Sequence, residues 1–134
     1  MRIVLDSNVY ISALLFGGIP ELPIRLAIAG KITVLISEAI LSEVKGVLSA
    51  KFRWTDKQVA GFEKEIRSLA EVIDATSVLS VVTGDAADNR VLECAVDGSA
   101  NCIITGDRHL ARLKTYGSIR IVSPRQFAEA LGIT

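Results

Sequence analysis

Four carboxylates stand where this chain could gather them. Asp6 directly follows the apolar run Arg2-Ile3-Val4-Leu5, and Asp107 follows Cys102-Ile103-Ile104-Thr105 through Gly106. Either one also suits a helix cap or a turn. Glu43 and Asp88 are stranger. In the helical stretch after Ser37, the residues Glu38, Ser42, Lys45 and Ser49 share one polar face. At ~100° per residue, Glu43 points ~130° away from that face, toward Ala39, Ile40, Gly46 and Val47. Asp88 heads the stripe Val91, Leu92, Ala95, Val96, the core-facing side of its helix. Local roles remain open for both: Asp88 as the acidic partner of an Asp85 cap, Glu43 as a boundary carboxylate reaching water past Ala39.

Four carboxylates converging on one edge of a sheet would repel and raise one another's pKa values. No lysine or arginine adjoins Asp6, so a divalent cation is the natural compensation. All-oxygen carboxylate sites favour Mg²⁺ or Mn²⁺. A single histidine and two cysteines in apolar surroundings, Cys94 and Cys102, argue against zinc. Such a centre suits phosphoryl chemistry, because bound metal activates water and stabilises the leaving oxygen. The residues alone thus point to a metal-dependent hydrolase of phosphate esters.

The elements needed to bring these acids together are legible in the periodicity. Short apolar runs at 2–5, 32–36, 102–105 and 119–122 read as strands, with a further weak strand expected near Val72-Ile73 or Leu79–Val82. Between them lie helical patterns: from Ser7 to Gly17, from Glu21 to Ala29, from a Ser37 cap to about Ala50, and from a Thr55 cap through Val59, Phe62, Ile66 and Leu69. Asp85 or Asp88 opens the next, Arg108 to Lys114 forms a short one, and Ser123-Pro124 starts the last. Strands alternating with helices mean a mostly parallel sheet covered on both faces. Ligands of such sheets bind beyond the carboxyl ends of the strands, which is where Asp6 and Asp107 fall.

Composition sets the remaining bounds. The 134 residues suit one domain, and 50% apolar with 22% charged excludes intrinsic disorder. No unbroken apolar run exceeds four residues, so no transmembrane helix is available. Asp6 interrupts the only stretch that could begin a signal peptide, and the expected location is cytoplasmic, with Cys94 and Cys102 reduced in the core. Fifteen basic residues balance fifteen acidic ones, which removes bulk attraction to a polyanion. Any contact with nucleic acid must be local or metal-mediated.

Taken in order, Asp6-Ser7-Asn8, a helical Glu43, Asp85-Ala86-Ala87-Asp88-Asn89-Arg90-Val91-Leu92-Glu93 and Ile104-Thr105-Gly106-Asp107-Arg108-His109-Leu110 resemble the PIN-domain family. The resemblance runs from the first strand to the closing one and is nearest to the branch of toxin components of toxin–antitoxin systems. It implies a Rossmann-like three-layer sandwich of about five parallel strands in the order 3-2-1-4-5. It also implies a metal-dependent endoribonuclease using Mg²⁺ or Mn²⁺. The family's acidic quartet maps onto Asp6, Glu43, Asp88 and Asp107, its accessory polar positions onto Asn8 and Thr105, and a less constant acidic position onto Asp85. Many members of that branch carry another acid where this chain has Ala87, a departure that lowers the local negative charge.

Arg90, Arg108, His109, Arg112 and Lys114 lie near these acids in sequence and could hold phosphates flanking the scissile one, without reading bases. A receiver domain would need an acid pair after the first strand and a lysine after the last. A haloacid-dehalogenase-type phosphatase would need an aspartate where Asn8 stands. The alternative from another class is a catalytically silent PIN-like module that binds RNA or protein. Expected partners are RNA, a cognate antitoxin and a second copy of the chain. The homodimer follows from the apolar stretch Leu22, Ile24, Leu26, Ala27 and Ile28, with Leu41, Leu48, Phe52 and Trp54 offering a second face.

Overall fold

A computed structural model describes residues 1–82 and 85–133. The chain opens with β1 (Arg2–Leu5), α1 (Ser7–Phe16), a 3₁₀ turn (Ile19–Glu21) and α2 (Leu22–Ile28). Then come β2 (Thr33–Ser37), α3 (Glu38–Phe52), α4 (Asp56–Leu69) and β3 (Glu71–Ile73). The second half runs α5 (Ala86–Asp97), β4 (Cys102–Ile104), α6 (Arg108–Ala111), β5 (Thr115–Tyr116), β6 (Ile119–Val122) and α7 (Pro124–Ala130). The caps expected from sequence are in place. Ser37 accepts from the Ile40 N–H, Asp85 from Asp88, and Thr55 and Ser123 each close a reciprocal capping box with a glutamine three residues on.

The six strands form one sheet in the order β3-β2-β1-β4-β6-β5. All neighbours are parallel except β5–β6. The parallel part is the expected 3-2-1-4-5 arrangement; the sixth strand is an addition. It arises because α6 stops at Ala111, short of the Lys114 anticipated from sequence. Lys114 then takes φ 59° and the chain returns as a hairpin through Gly117, at φ 60°. A two-residue strand carries no periodicity to read. Leu79–Val82 joins no strand either, and the weak strand is β3 alone.

Central strands are buried on both faces, as a parallel sheet between helices requires. Ile3, Val4, Leu5, Val34, Leu35, Ile36, Ile103 and Ile104 are all at 0% exposure. Leu41 and Leu48 also belong to this core, so they cannot form the second association face expected of them; Phe52 remains exposed. In α2, Leu22, Ile24, Leu26 and Ala27 lean on the core, while Ile28 is 70% exposed. Gly98 ends α5 where only hydrogen fits: a Cβ there would meet Leu35 Cδ1 at 2.8 Å.

Strand order has one functional consequence. The chain leaves β1 toward β2 on one side and returns as β4 on the other, so β1 and β4 flank the switch point of the sheet. Ligands of such sheets bind at that point, beyond the carboxyl ends of the strands.

Candidate metal centre

Asp6 and Asp107 form the two lips of that switch point, each just after one of its paired strands. Asp6 follows β1 and caps α1, its Oδ1 accepting from the Ser7 N–H at 2.7 Å. Asp107 follows β4 and caps α6, its Oδ1 accepting from the His109 N–H at 2.7 Å. Thr105 stitches the lips together. Its hydroxyl donates to Asp6 Oδ2 at 2.6 Å and accepts from the Asp107 N–H at 2.9 Å. Asn8 adds a second stitch, its Oδ1 accepting from the Gly106 N–H at 3.3 Å. Asp6 and Thr105 are 4% and 1% exposed, so their contact is buried, while Asn8 and Gly106 lie at the exposed end of the seam.

Asp88 approaches Asp107 from the first turn of α5. It is 2% exposed, and its Oδ2 has no hydrogen-bond partner among the described residues. Asp85, Asp88 and Asp107 each present a carboxylate oxygen, and these three atoms lie within 4.8 Å of one another. Burial, reinforced by the like charges of Asp107, Asp85 and Asp6, pushes the Asp88 carboxyl up to about 7. Burial also raises Asp6; the hydrogen bonds from Thr105 and Ser7 oppose that rise, and the charges of Glu43 and Asp107 add to it. Glu43, partly buried on α3, thus acts on Asp6 as a like charge.

An arrangement of this kind is electrostatically unfinished. Three carboxylate oxygens share one small volume; among the described residues one buried oxygen has no donor, and no salt bridge involves Asp6, Asp85, Asp88 or Asp107. A divalent cation with oxygen ligands would supply what is missing. The donor set fits it.

The family model of the PIN domain matches residues 2–109. The chain belongs to the PIN-domain family. A curated relative, the uncharacterized protein MJ1680 of Methanocaldococcus jannaschii, is 30% identical over 145 residues, covering 96% of this PIN-domain chain and 90% of that protein. Among solved structures, VapBC2 from Rickettsia felis, bound to a DNA fragment from their promoter, is similar with a TM-score of 0.66 at 18% identity, over 92% of this chain and 98% of that one. The PIN domain endonuclease Utp24 is similar with a TM-score of 0.56 at 19% identity, over 91% and 84%. At those identities the two structures speak for the fold.

Against the quartet expected from sequence, the geometry of this PIN domain differs in emphasis. Asp85, anticipated only as an accessory, joins Asp88 and Asp107 in one cluster; Asp6 acts on Asp88 as a like charge, and Glu43 acts on Asp6. Among the basic residues, Arg90 is already occupied: its guanidinium lies 2.6 Å from Glu93. Arg108, His109 and Arg112 are exposed on and just after α6, next to Asp107, and form no salt bridge among the described residues. Sequence spacing did not single out Asn89 and Glu93, which are 6% and 5% exposed. Their signal was available: Asn89, Glu93 and Asp97 recur every four residues along one side of α5.

Proposed function

We propose that this PIN domain is a metal-dependent endoribonuclease, using Mg²⁺ or Mn²⁺ held by Asp88 and Asp107 together with Asp6, Glu43 and Asp85. The observation that carries the reading is the convergence of Asp85, Asp88 and Asp107 within 4.8 Å, with a buried Asp88 oxygen that has no partner among the described residues. When bound, such an ion supplies an activated water and charge stabilisation at the phosphate. The chain's own residues prepare the place. Thr105 holds Asp6 in orientation and ties it to the Asp107 backbone, and Asn8 keeps the two lips in register. Arg108, His109 and Arg112 receive flanking phosphates, as positioning contacts. With formal net charge +0, the surface has little hold on a long duplex, so the substrate is a single exposed strand of RNA.

Membership of the PIN family supports the nuclease reading, and a fold shared with an endonuclease agrees with it. The fold shared with VapBC2 supports a biological setting as the toxin of a toxin–antitoxin pair, with a homodimer and an antitoxin segment sharing the apolar surface around α2. The test is cleavage of a labelled single-stranded RNA with Mn²⁺, with Mg²⁺ and with chelator, by the wild type and by Asp6→Asn. Asparagine caps helices as well as aspartate does, so the variant keeps the fold. Divalent-dependent cutting lost in Asp6→Asn supports the reading. Cutting retained there, or equal cutting of duplex DNA, counts against it.

A further inference from the structure

Between β3 and α5 the chain runs through residues 74–82 without regular secondary structure and without joining the sheet. Its backbone N–H groups still need acceptors, and α5 supplies them from side chains. Asp97 accepts from the Thr76 and Ser77 N–H groups at 2.7 and 2.8 Å. One turn earlier, Glu93 accepts from the Leu79 N–H at 2.8 Å. One turn earlier again, Asn89 Oδ1 accepts from both Val81 and Val82 N–H groups at 2.9 Å. The match is metric. Residues 77, 79 and 81 pair with 97, 93 and 89, and the ~6 Å that four residues of α-helix advance is close to the ~6.6 Å that two residues span in a strand.

The last rung differs from the other two. Asn89 Nδ2 donates to the Val82 carbonyl at 2.9 Å and to the Asp85 carbonyl at 3.2 Å, which uses all four hydrogen-bonding positions of the amide. The Asn89 backbone N–H also points to the Asp85 carbonyl, at 3.4 Å. Asp85 in turn accepts from the Asp88 N–H at 3.2 Å. One buried amide therefore grips both the arriving connector and the residue whose carboxylate must stay beside Asp88 and Asp107. Mutual repulsion of the three acids pushes Asp85 outward, and no strand pairing restrains it.

We propose that Asn89 is a positioning residue for the acidic centre, holding Asp85 within reach of the ion shared with Asp88 and Asp107. The role rests on the metal-centre reading above. Groups of this kind set metal affinity through the ligands they orient, and their loss lowers it ~10–100-fold.

The test compares Mn²⁺ affinity, read by electron paramagnetic resonance on the full chain, with Tm of the metal-free protein. Asn89→Ala, with Asn89→Ser as the milder second variant, removes the near rung; Asp97→Ala loosens the far end of the same connector. All three are expected to lower Tm and to speed amide exchange at their own contacts, Val81 and Val82 or Thr76 and Ser77. Only the Asn89 variants are expected to weaken Mn²⁺ by ~10-fold or more. Wild-type affinity in a folded Asn89→Ser, or an equal loss in Asp97→Ala, would overturn the positioning role and leave the metal centre standing. A wild type that binds no Mn²⁺ at millimolar concentration would overturn the metal centre itself, and this role with it.

Discussion

The hydroxyl of Thr105 donates to the carboxylate of Asp6 across 2.6 Å, joining the end of β4 to the end of β1 in an almost fully buried contact. Hydrogen bonds to a buried charge contribute more than neutral ones, and losing the donor leaves the acceptor desolvated. Thr105→Val keeps the shape and removes both of its bonds. It should lower stability by about 2 kcal/mol, whereas Thr105→Ser should retain most of it. Chemical denaturation of both variants checks this; equal stability in valine and serine would show that the hydroxyl is idle.

Stability of the metal-free protein should depend on pH in the sense opposite to an ordinary ion-paired acid. Asp88 keeps its proton up to about 7 in the fold, while the unfolded chain releases it near ~4. Between those values the native state holds the extra proton, so stability falls as pH rises through that window. Thermal melts with chelator should give a lower Tm at pH 7.5 than at pH 5. Mn²⁺ should close much of the gap, and Asp88→Asn should flatten the slope. A melt that rises with pH across that window would contradict the burial of an unpaired Asp88.

Arg108 and Arg112 should affect RNA binding through charge alone. Replacing both by alanine is expected to weaken binding of unrelated single-stranded RNAs about equally, and to reduce the salt slope by ~1 for each arginine removed. Binding isotherms at several salt concentrations separate the possibilities. A sequence-dependent weakening would mean that these side chains touch bases as well as phosphates.

Self-association should place Ile28 in an interface. The groove between α1, α2 and α4, about 480 Å³ and lined by Leu14, Ile24, Ile28, Phe62 and Leu69 among others, is the apolar surface that α2 leaves open. Light scattering at micromolar concentration should give about twice 14.4 kDa, and Ile28→Glu should shift the population toward monomer. A wild type that scatters as one chain would return this surface to other uses.

Periodicity and capping chemistry were enough to place most elements, because both are local. Ser37, Thr55, Asp85 and Ser123 announce their helices by side chains that reach only three residues ahead. The misplaced face of Asp88 was likewise visible, since a helix of known pitch puts it among Val91, Leu92 and Ala95, and the structure buries it at 2% exposure. Which acids would meet was a different matter. Asp107 meets Asp85 and Asp88 because α5 packs back against β4, the strand that follows it, and Asp6, from the other end of the chain, joins them only because β4 lies beside β1. The same holds for the connector at 74–82, where the apolar run Leu79–Val82 suggested a strand that does not form. Its path is written in the side chains of α5, and that dependence appears only when helix and connector lie side by side. Local interactions settled the elements from the sequence; the centre waited for the topology, because its contacts join residues that no local rule relates.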